Sequence, residues 1–350
     1  MKLFSVFVGR GVHRLPAKVR RRGEIKALVF HRNYSEHNNL TKLERLTLAK
    51  HQNTICYTNE GNENSDLCFI AIHGGPGSHK DFRHLAKSFS EIFVQKDSND
   101  AHKKGESVSY QLLRFDLPGY GSSDRMPLPP TAENFADQVL DTIDALRLKD
   151  QKKKIVIIGH SLGGHISAKI ASKMQYGLHG LILLSTVCLR PHRILGDDKY
   201  YWISRWLGKS VDNSIYGEAV KIFLDIAYKN FANFPKSSKR EEIALTQQRV
   251  ALLDWKGFES DIRSTKCPIF FSYATNDHIL QKERFRELAD LINEHDNSQF
   301  QISLDIVKEY SDGGHNIQKT KIAELTEVIK IWLFHIDVAL SCKSTRLQLN

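Results

Sequence analysis

The chain has 350 residues, of which 41% are hydrophobic and 26% charged, and its formal net charge is +10. This length allows a large folded core, and no apolar run approaches the roughly 18 residues that a transmembrane helix needs. Most of the positive charge lies in residues 1–34, which carry nine Lys and Arg and a single Glu. A nucleic-acid-binding domain shows its basic footprint on the folded body, so the nearly neutral remainder argues against nucleic acid as a partner.

The basic leader, residues 1–34, has the composition of a mitochondrial transit peptide, because residues 1–23 combine many arginines with no Asp or Glu. We expect a mitochondrial protein, with a cytoplasmic protein that carries a disordered basic tail as the alternative. A short basic arm also leaves peripheral contact with an anionic membrane open. The five cysteines form no C-x-x-C pair, which favours a reducing compartment without a zinc site or a disulfide framework.

Strand patterns and helical patterns alternate from about residue 43 onward. A β-hairpin is predicted over residues 43–60, and buried strands are predicted at Leu67–Ile72 and Tyr110–Phe115. A charged insert, Gln95–Glu106, lies between these two strands. The next element is a helix at Thr131–Leu148, with Thr131 as its N-cap and one apolar face.

The second half of the chain repeats the alternation after a helical interruption. Strands that alternate with helices predict an α/β fold with a mostly parallel sheet covered on both faces. Residues 191–263 show helix-period segments only, and we expect a helical cap over the carboxyl ends of the strands, where open α/β sheets bind ligands. Residues 35–190 and 264–338 then form the core, and residues 339–350 form a tail. The predicted elements here are strands at 155–158, 181–184, 268–273 and 300–307, and helices at 165–174, 282–292 and 318–336.

The segment Gly159-His160-Ser161-Leu162-Gly163 follows a run of β-branched residues and precedes a helix. This is the strand–turn–helix setting in which G-x-S-x-G forms a nucleophile elbow. A serine at the tip of so sharp a turn exposes its hydroxyl, and glycines on either side of it avoid collisions across the turn. The free N–H groups of the following helix point at developing negative charge. The pattern therefore predicts Ser161 as a nucleophile.

A serine hydroxyl needs a general base, and the base needs a carboxylate to orient it. In sheets that carry an elbow, the partners follow in the order Ser, Asp or Glu, then His. Asp277 comes after the predicted strand at 268–273, and His315 comes after the last predicted strand. Both therefore lie in loops on the same rim as Ser161. Asp312 is the rival acid, but it is so near His315 in sequence that it is interpreted as shaping the turn.

The oxyanion of a tetrahedral intermediate needs two N–H donors. The amide of Leu162, directly after the nucleophile, is one candidate. The amide of Gly75 is the other, because it lies in the glycine-rich loop His73–Ser78 that follows a buried strand. Glycine in this loop lets its backbone approach a substrate oxygen closely. His73 is interpreted as a hydrogen-bonded brace for the loop.

Together these motifs resemble the α/β-hydrolase superfamily, in its serine-nucleophile branch. The resemblance implies a doubly wound, mostly parallel sheet with a helical cap after the sixth strand, and a triad of Ser161, His315 and Asp277. It implies no cofactor and no metal. The resemblance runs from about residue 43 to 338 and rests on HGGPGS (73–78), DLPGYGSSD (116–124), GHSLGG (159–164), Asp277 and GGH (313–315).

The resemblance leaves more than one function open. The elbow is similar to that of esterases, lipases and acyl-transfer members, so a serine hydrolase that cleaves a carboxylic ester is the leading hypothesis. Aromatic residues of the predicted cap, such as Trp202 and Phe223, favour a hydrophobic, lipid-like substrate. The HGGPG loop is similar to that of proline iminopeptidases, which leaves an aminopeptidase as an alternative. A noncatalytic scaffold that binds a lipid or a protein partner is an alternative of another class.

Overall fold

The basic leader and the charged insert Gln95–Glu106 lie outside the residues that the structure describes, and the mitochondrial assignment stays a prediction. None of the helices in the described ranges has an apolar stretch that could span a bilayer. The computed structural model describes residues 42–93, 109–174, 177–230, 234–299 and 306–348.

Eight strands of the described chain form one sheet: β1 Leu43–Leu48, β2 Asn53–Gly61, β3 Leu67–Ile72, β4 Gln111–Asp116, β5 Lys154–His160, β6 Leu178–Leu184, β7 Ile269–Ala274 and β8 Val307–Tyr310. Their order across the sheet is β1-β2-β4-β3-β5-β6-β7-β8. The pairs β1–β2 and β2–β4 are antiparallel, and every other pair is parallel. The mostly parallel α/β sheet predicted from the sequence is therefore confirmed, with the hairpin at one edge.

Helices connect the strands and cover both faces of the sheet. The predicted N-cap of the second helix is present, because the Thr131 hydroxyl accepts the Asn134 N–H at 3.2 Å. The helices are α1 Arg83–Ile92, α2 Ala132–Ala145, α3 Gly163–Met174, α4 Asp197–Ser210, α5 Gly217–Asn230, α6 Arg240–Ala251, α7 Trp255–Ser264, α8 Lys282–Gln299, α9 Ile317–Thr320 and α10 Ile322–Gln348.

Successive residues of the central strands alternate between two cores, one on each face of the sheet. In β3, Ile70 belongs to the core that contains Phe135 of α2 and Phe285 of α8. Its neighbour Phe69 belongs to the opposite core, which contains Trp332 of α10. Continuous apolar runs are typical of parallel strands that are buried on both faces.

Between β6 and β7 the described residues form helices joined by turns and loops, and none of them forms a strand. Helices α5 and α6 share an apolar cluster that includes Val220, Leu224 and Ile243. The predicted cap ran to residue 263, but α7 buries Phe258 and Ile262 in the same core as α2 and α8. Helix α7 therefore packs with the core layer, and α4, α5 and α6 form the separate helical block.

The last strand lies further along the chain than its pattern indicates. A strand was expected at residues 300–307, but β8 spans Val307–Tyr310, and residues 300–305 lie outside the described ranges. The predicted end at Val307 is wrong, because the strand continues through Lys308 and Glu309 to Tyr310. In β8 only Tyr310 is buried, and charged residues are common on a strand at the edge of a sheet.

Gly180 of β6 offers a test of the packing between the sheet and α10. A Cβ on Gly180 would lie 2.5 Å from Cη2 of Trp332, whose side chain is buried with 2% of its surface exposed. We expect Gly180→Ala to lower the free energy of unfolding by about 1–3 kcal/mol, because the ring has to move within a packed core. Urea unfolding followed by circular dichroism measures the change.

Trp332→Phe removes the ring atoms that the new methyl group would meet. The double variant should therefore be more stable than the sum of the two single effects predicts. Strictly additive effects would show that the two residues do not oppose each other.

Candidate active site

Ser161 lies in the turn between β5 and α3, with 8% of its surface exposed. Its φ of +53° places it in the left-handed region, which non-glycine residues adopt at an energetic cost and often at functional turns. Gly163 allows the turn, because a Cβ there would lie 2.4 Å from the carbonyl oxygen of Ile72 in β3. The elbow therefore requires close contact between the start of α3 and the neighbouring strand.

Hydrogen bonds hold the strained backbone of Ser161 in place. The Ser161 N–H donates to the Leu184 carbonyl at 3.1 Å. The Ser161 carbonyl accepts the N–H groups of Gly164 and Val187 at 3.0 and 3.2 Å, and the hydroxyl of Thr186 at 3.0 Å. These bonds fix the backbone of Ser161 on both sides and leave its side chain free to react.

Asp277 and His315 meet in the loops that follow β7 and β8. The His315 Nδ1–H donates to Asp277 Oδ2 at 2.7 Å, and Asp277 Oδ1 accepts the amides of Ile279 and Leu280 at 2.7 and 3.1 Å. Burial acts to raise the pKa of Asp277, but the His315 ring and these amides together hold that pKa below its ordinary value. The ionised carboxylate fixes the His315 ring, with Nε2 on the opposite edge.

Two further histidines surround His315. His160, which precedes Ser161, donates from Nε2 to the His315 carbonyl at 3.1 Å, and the two ring centres are 5.0 Å apart. Burial, followed by the charge of His315, lowers the pKa of His160 to about 3. The same two causes lower the pKa of His192 to about 4. Both neighbours are therefore neutral near pH 7.

The glycine-rich loop after β3 passes beside the nucleophile. A Cβ on Gly74 would lie 2.8 Å from Ser161 Cβ. His73 braces the loop: its Nε2 accepts the Leu117 N–H at 3.0 Å, which leaves Nδ1–H to donate to the Gly74 carbonyl at 2.6 Å. Gly75, the predicted oxyanion donor, follows directly. Leu162, the other predicted donor, is buried at the start of the turn into α3.

Asp116 anchors the loop that the motif DLPGYGSSD forms. Its Oδ1 accepts both the backbone N–H and the ring Nδ1–H of His79, at 2.7 and 2.8 Å. Its Oδ2 accepts the Ser122 N–H at 2.9 Å. Burial opposes the charge of Asp116, yet the bonds from His79 keep its pKa below the ordinary value. The motif therefore ties two loops together at the rim of the site.

Two other acids, one in the loop before His315 and one in the helical block, form ion pairs with lysines. Asp312 is exposed and pairs with Lys321 at 2.6 Å. In the helical block, Asp225 pairs with Lys229 at 2.7 Å. Across the described ranges, no three His, Cys, Asp or Glu side chains are grouped so that they could hold a metal ion.

Arg249 is a residue beside the site that the sequence analysis did not single out. It lies on α6 with 5% of its surface exposed, and its Nη2 donates to the Leu162 carbonyl at 3.3 Å. Its guanidinium carbon is 5.4 Å from the ring centre of Tyr120 and 4.9 Å from that of Phe135. The sequence signal that could have identified it is an arginine in the segment 243–253 with no Asp or Glu three or four residues away on either side.

An apolar cavity of about 370 Å³, open to solvent, lies between α4, α5 and α6. Leu195 lines this cavity and belongs to the same small apolar cluster as Leu162. A second cavity, of about 610 Å³, lies between residues 125–130 and helices α4 and α6. On the outer surface of α4, Trp202 and Trp206 are 65% and 52% exposed. Contact with a membrane surface stays a prediction.

A sequence model of the alpha/beta hydrolase family matches residues 69–320, a range that contains Ser161, Asp277 and His315. The match covers more than half of the chain. The chain therefore belongs to the alpha/beta hydrolase family.

Solved structures of this family share the fold. An esterase from Thermogutta terrifontis aligns with a TM-score of 0.56 at 19% identity, covering 84% of this chain and 98% of that one. An esterase from Exiguobacterium antarcticum aligns with a TM-score of 0.58 at 13% identity, covering 83% and 98%. Among curated proteins, proline iminopeptidase PfmaB of Pestalotiopsis fici is 32% identical over 143 residues, which are 39% of this chain and 42% of PfmaB. The chain thus spans less than half the length of this relative.

Buried histidines around the site make stability depend on pH. Burial lowers the pKa of His73, His165 and His192 to about 4 and that of His160 to about 3, against about 6.5 in an unfolded chain. Between these values the unfolded chain binds more protons than the folded one. The free energy of unfolding should therefore be highest above about pH 6.5 and should decrease as the pH falls towards 4. Urea unfolding at about pH 7, 6 and 5 measures this loss.

His165→Gln isolates one member of this group. His165 stacks on Phe258 with ring centres 3.9 Å apart and hydrogen-bonds the Val187 carbonyl, so the substitution lowers stability at every pH. The slope is the informative quantity, because one buried neutral histidine contributes up to about 1.4 kcal/mol per pH unit. If the free energy of unfolding of this variant changes with pH as steeply as that of the wild type, the lowered pKa assigned to His165 is contradicted.

Proposed function

We propose that the protein is a serine hydrolase that cleaves a carboxylic ester through an acyl-enzyme. The observation that carries this proposal is the bond from His315 Nδ1 to the buried Asp277 carboxylate at 2.7 Å, on the rim where the elbow presents Ser161. This bond selects the tautomer whose Nε2 can take a proton from the serine hydroxyl. Without such a base a serine hydroxyl is too weak a nucleophile.

The proposed reaction assigns one role to each group. Ser161 Oγ attacks the ester carbonyl while His315 Nε2 takes its proton, and Asp277 stabilises the imidazolium that forms. The amides of Gly75 and Leu162 donate to the oxyanion of the tetrahedral intermediate. His315 then returns the proton to the leaving alcohol. In the second half of the reaction His315 takes a proton from water, the water oxygen attacks the acyl carbonyl, and the proton returns to Ser161 Oγ as the carboxylic acid is released.

The apolar cavity between α4, α5 and α6 supports an ester with a hydrophobic acyl chain. Leu195 forms part of its wall and belongs to the same apolar cluster as Leu162, one of the proposed oxyanion donors. Ligand pockets that are mostly apolar with a few convergent polar groups are typical of small-molecule sites. Relatives of similar fold named as esterases are consistent with this substrate class.

Labelling with a fluorophosphonate probe tests the proposal, because the probe reacts with activated serines. We expect the wild-type chain to be labelled, and Ser161→Ala and His315→Ala to lose labelling. Ser90→Ala, on the surface of α1, is the matched control and should keep it. For Asp277→Asn we expect kcat on an ester to fall by about three to four orders of magnitude, since the tautomer of His315 is lost. A folded wild-type chain that takes no label would favour the noncatalytic scaffold.

An aminopeptidase of the proline iminopeptidase type is the second candidate. The glycine-rich loop and the match to PfmaB favour it. Such an enzyme needs an acid for the free amino terminus of its substrate, and in the helical block Glu218 is paired with Arg240 and Asp225 with Lys229, both at 2.7 Å. These ion pairs favour the esterase.

Substrate preference separates the two enzymes. We expect 4-nitrophenyl butyrate to be hydrolysed with a higher kcat/KM than proline 4-nitroanilide, and Ser161→Ala to remove both activities. A higher kcat/KM for the prolyl amide would instead establish the peptidase.

A further inference from the structure

Arg249 is a buried cation without a buried anion beside it. Only 5% of the surface of this residue is exposed. Among the described residues, no Asp or Glu forms an ion pair with it. Its charge is met by the Leu162 carbonyl on one side and by the rings of Tyr120 and Phe135. Burying a charge is costly unless it is paired, so an arginine kept in this state calls for a reason.

One end of the guanidinium has a donor to spare. Nη1 has no hydrogen-bond partner among the described residues. Aromatic faces stabilise a cation but accept no strong in-plane hydrogen bond, and the Leu162 carbonyl engages only Nη2. Nη1 is itself shielded from solvent, so its two N–H groups would be satisfied by an acceptor that is not part of this chain.

Nη1 lies against the loop of the proposed active site. A Cβ on Gly75 would lie 3.3 Å from Nη1, whereas a Cβ on the preceding Gly74 would lie 3.3 Å from Ser161 Oγ. The cation thus sits one residue along the loop from the nucleophile, on the side that faces α6. Gly75 is half-buried, and Thr246 of α6 is its nearest neighbour on this side, because a Cβ on Gly75 would lie 2.7 Å from Thr246 Oγ1. Leu162, which Arg249 also contacts, is the residue after the nucleophile.

We propose that Arg249 binds an anionic group of the substrate, so that the enzyme selects esters carrying a carboxylate or a phosphate near the scissile carbonyl. This inference rests on the proposed hydrolase function and adds the charge of its substrate. Arginine suits the role because its planar fork matches the oxygens of either anion. Because Nη1 lies beside Gly75, a proposed oxyanion donor, an effect confined to the anionic ester is what distinguishes binding of the substrate's own charge from binding of the oxyanion.

A binding measurement tests the proposal without turnover. Calorimetry on the Ser161→Ala variant should show that monomethyl glutarate binds at least about tenfold more tightly than methyl butyrate, the value expected for a hydrogen bond to a charged group. Adding Arg249→Gln should abolish the difference. Arg240→Gln makes the same change at the exposed start of α6 and should preserve it. Competition by inorganic phosphate or by acetate shows which anion fits better.

A kinetic measurement separates a binding role from a structural one. We expect the ratio of kcat/KM for mono-4-nitrophenyl glutarate over 4-nitrophenyl butyrate to fall by about tenfold or more in Arg249→Gln, through KM of the anionic ester. Arg249→Lys keeps the positive charge, so it should restore part of the ratio of kcat/KM values that Arg249→Gln loses. It is the second variant to use if Arg249→Gln perturbs the fold. An equal loss of kcat on both esters would overturn the proposal in favour of an oxyanion or structural role.

The two proposals fail in different ways. If the wild-type chain takes no fluorophosphonate label, the hydrolase proposal fails, but calorimetry still decides whether Arg249 binds an anion. If labelling is normal and neither monomethyl glutarate nor phosphate binds through Arg249, only the inference about the substrate's charge is overturned.

Discussion

The left-handed turn at Ser161 is the constraint on which the rest of the site depends. A non-glycine residue at a φ of +53° persists only where its surroundings over-determine it. The neighbouring strands supply those surroundings: Leu184 at the end of β6 accepts the Ser161 N–H, and Gly163 packs against the Ile72 carbonyl of β3. A shift of register between β3, β5 and β6 would remove these partners together. The sheet thus fixes the serine, and the loops add groups around a fixed point.

Hydrogen-bonded His–Asp pairs recur in this chain, so such a bond does not by itself identify a base. His79 meets Asp116 at 2.8 Å and His295 meets Asp296 at 2.5 Å. The pair of His315 and Asp277 differs in its place, because it follows the two strands whose carboxyl ends lie on the rim of the elbow. Its histidine neighbours there are held neutral by burial, which lowers their pKa values. Position and local electrostatics together distinguish this pair from the others.

The structural features that the sequence predicted well are those that depend on a contiguous run of residues. The apolar runs of β3 and β5 bury both faces of a parallel sheet and leave little choice of structure. Ser161, Asp277 and His315 follow strand ends, so strand prediction places them without any knowledge of tertiary packing. The edge strand β8 was misplaced because only Tyr310 in it is buried. The place of α7 was missed for a similar reason, since a helical pattern does not say which layer a helix packs against.

The proposed role of Arg249 illustrates why residues that bind a substrate are harder to predict from sequence than residues that follow strand ends. Each predicted catalytic residue follows a strand, whereas α6 reaches the site only through packing of the helical block. A buried unpaired cation would be incompatible with strands that are packed on both faces, but at the boundary between α6 and the loops it is shielded by Tyr120 and Phe135. That boundary can change without disturbing the sheet. The same sheet and loops can therefore carry different binding groups, and if the proposed hydrolase function holds, we expect specificity to lie in the helical block rather than in the strands.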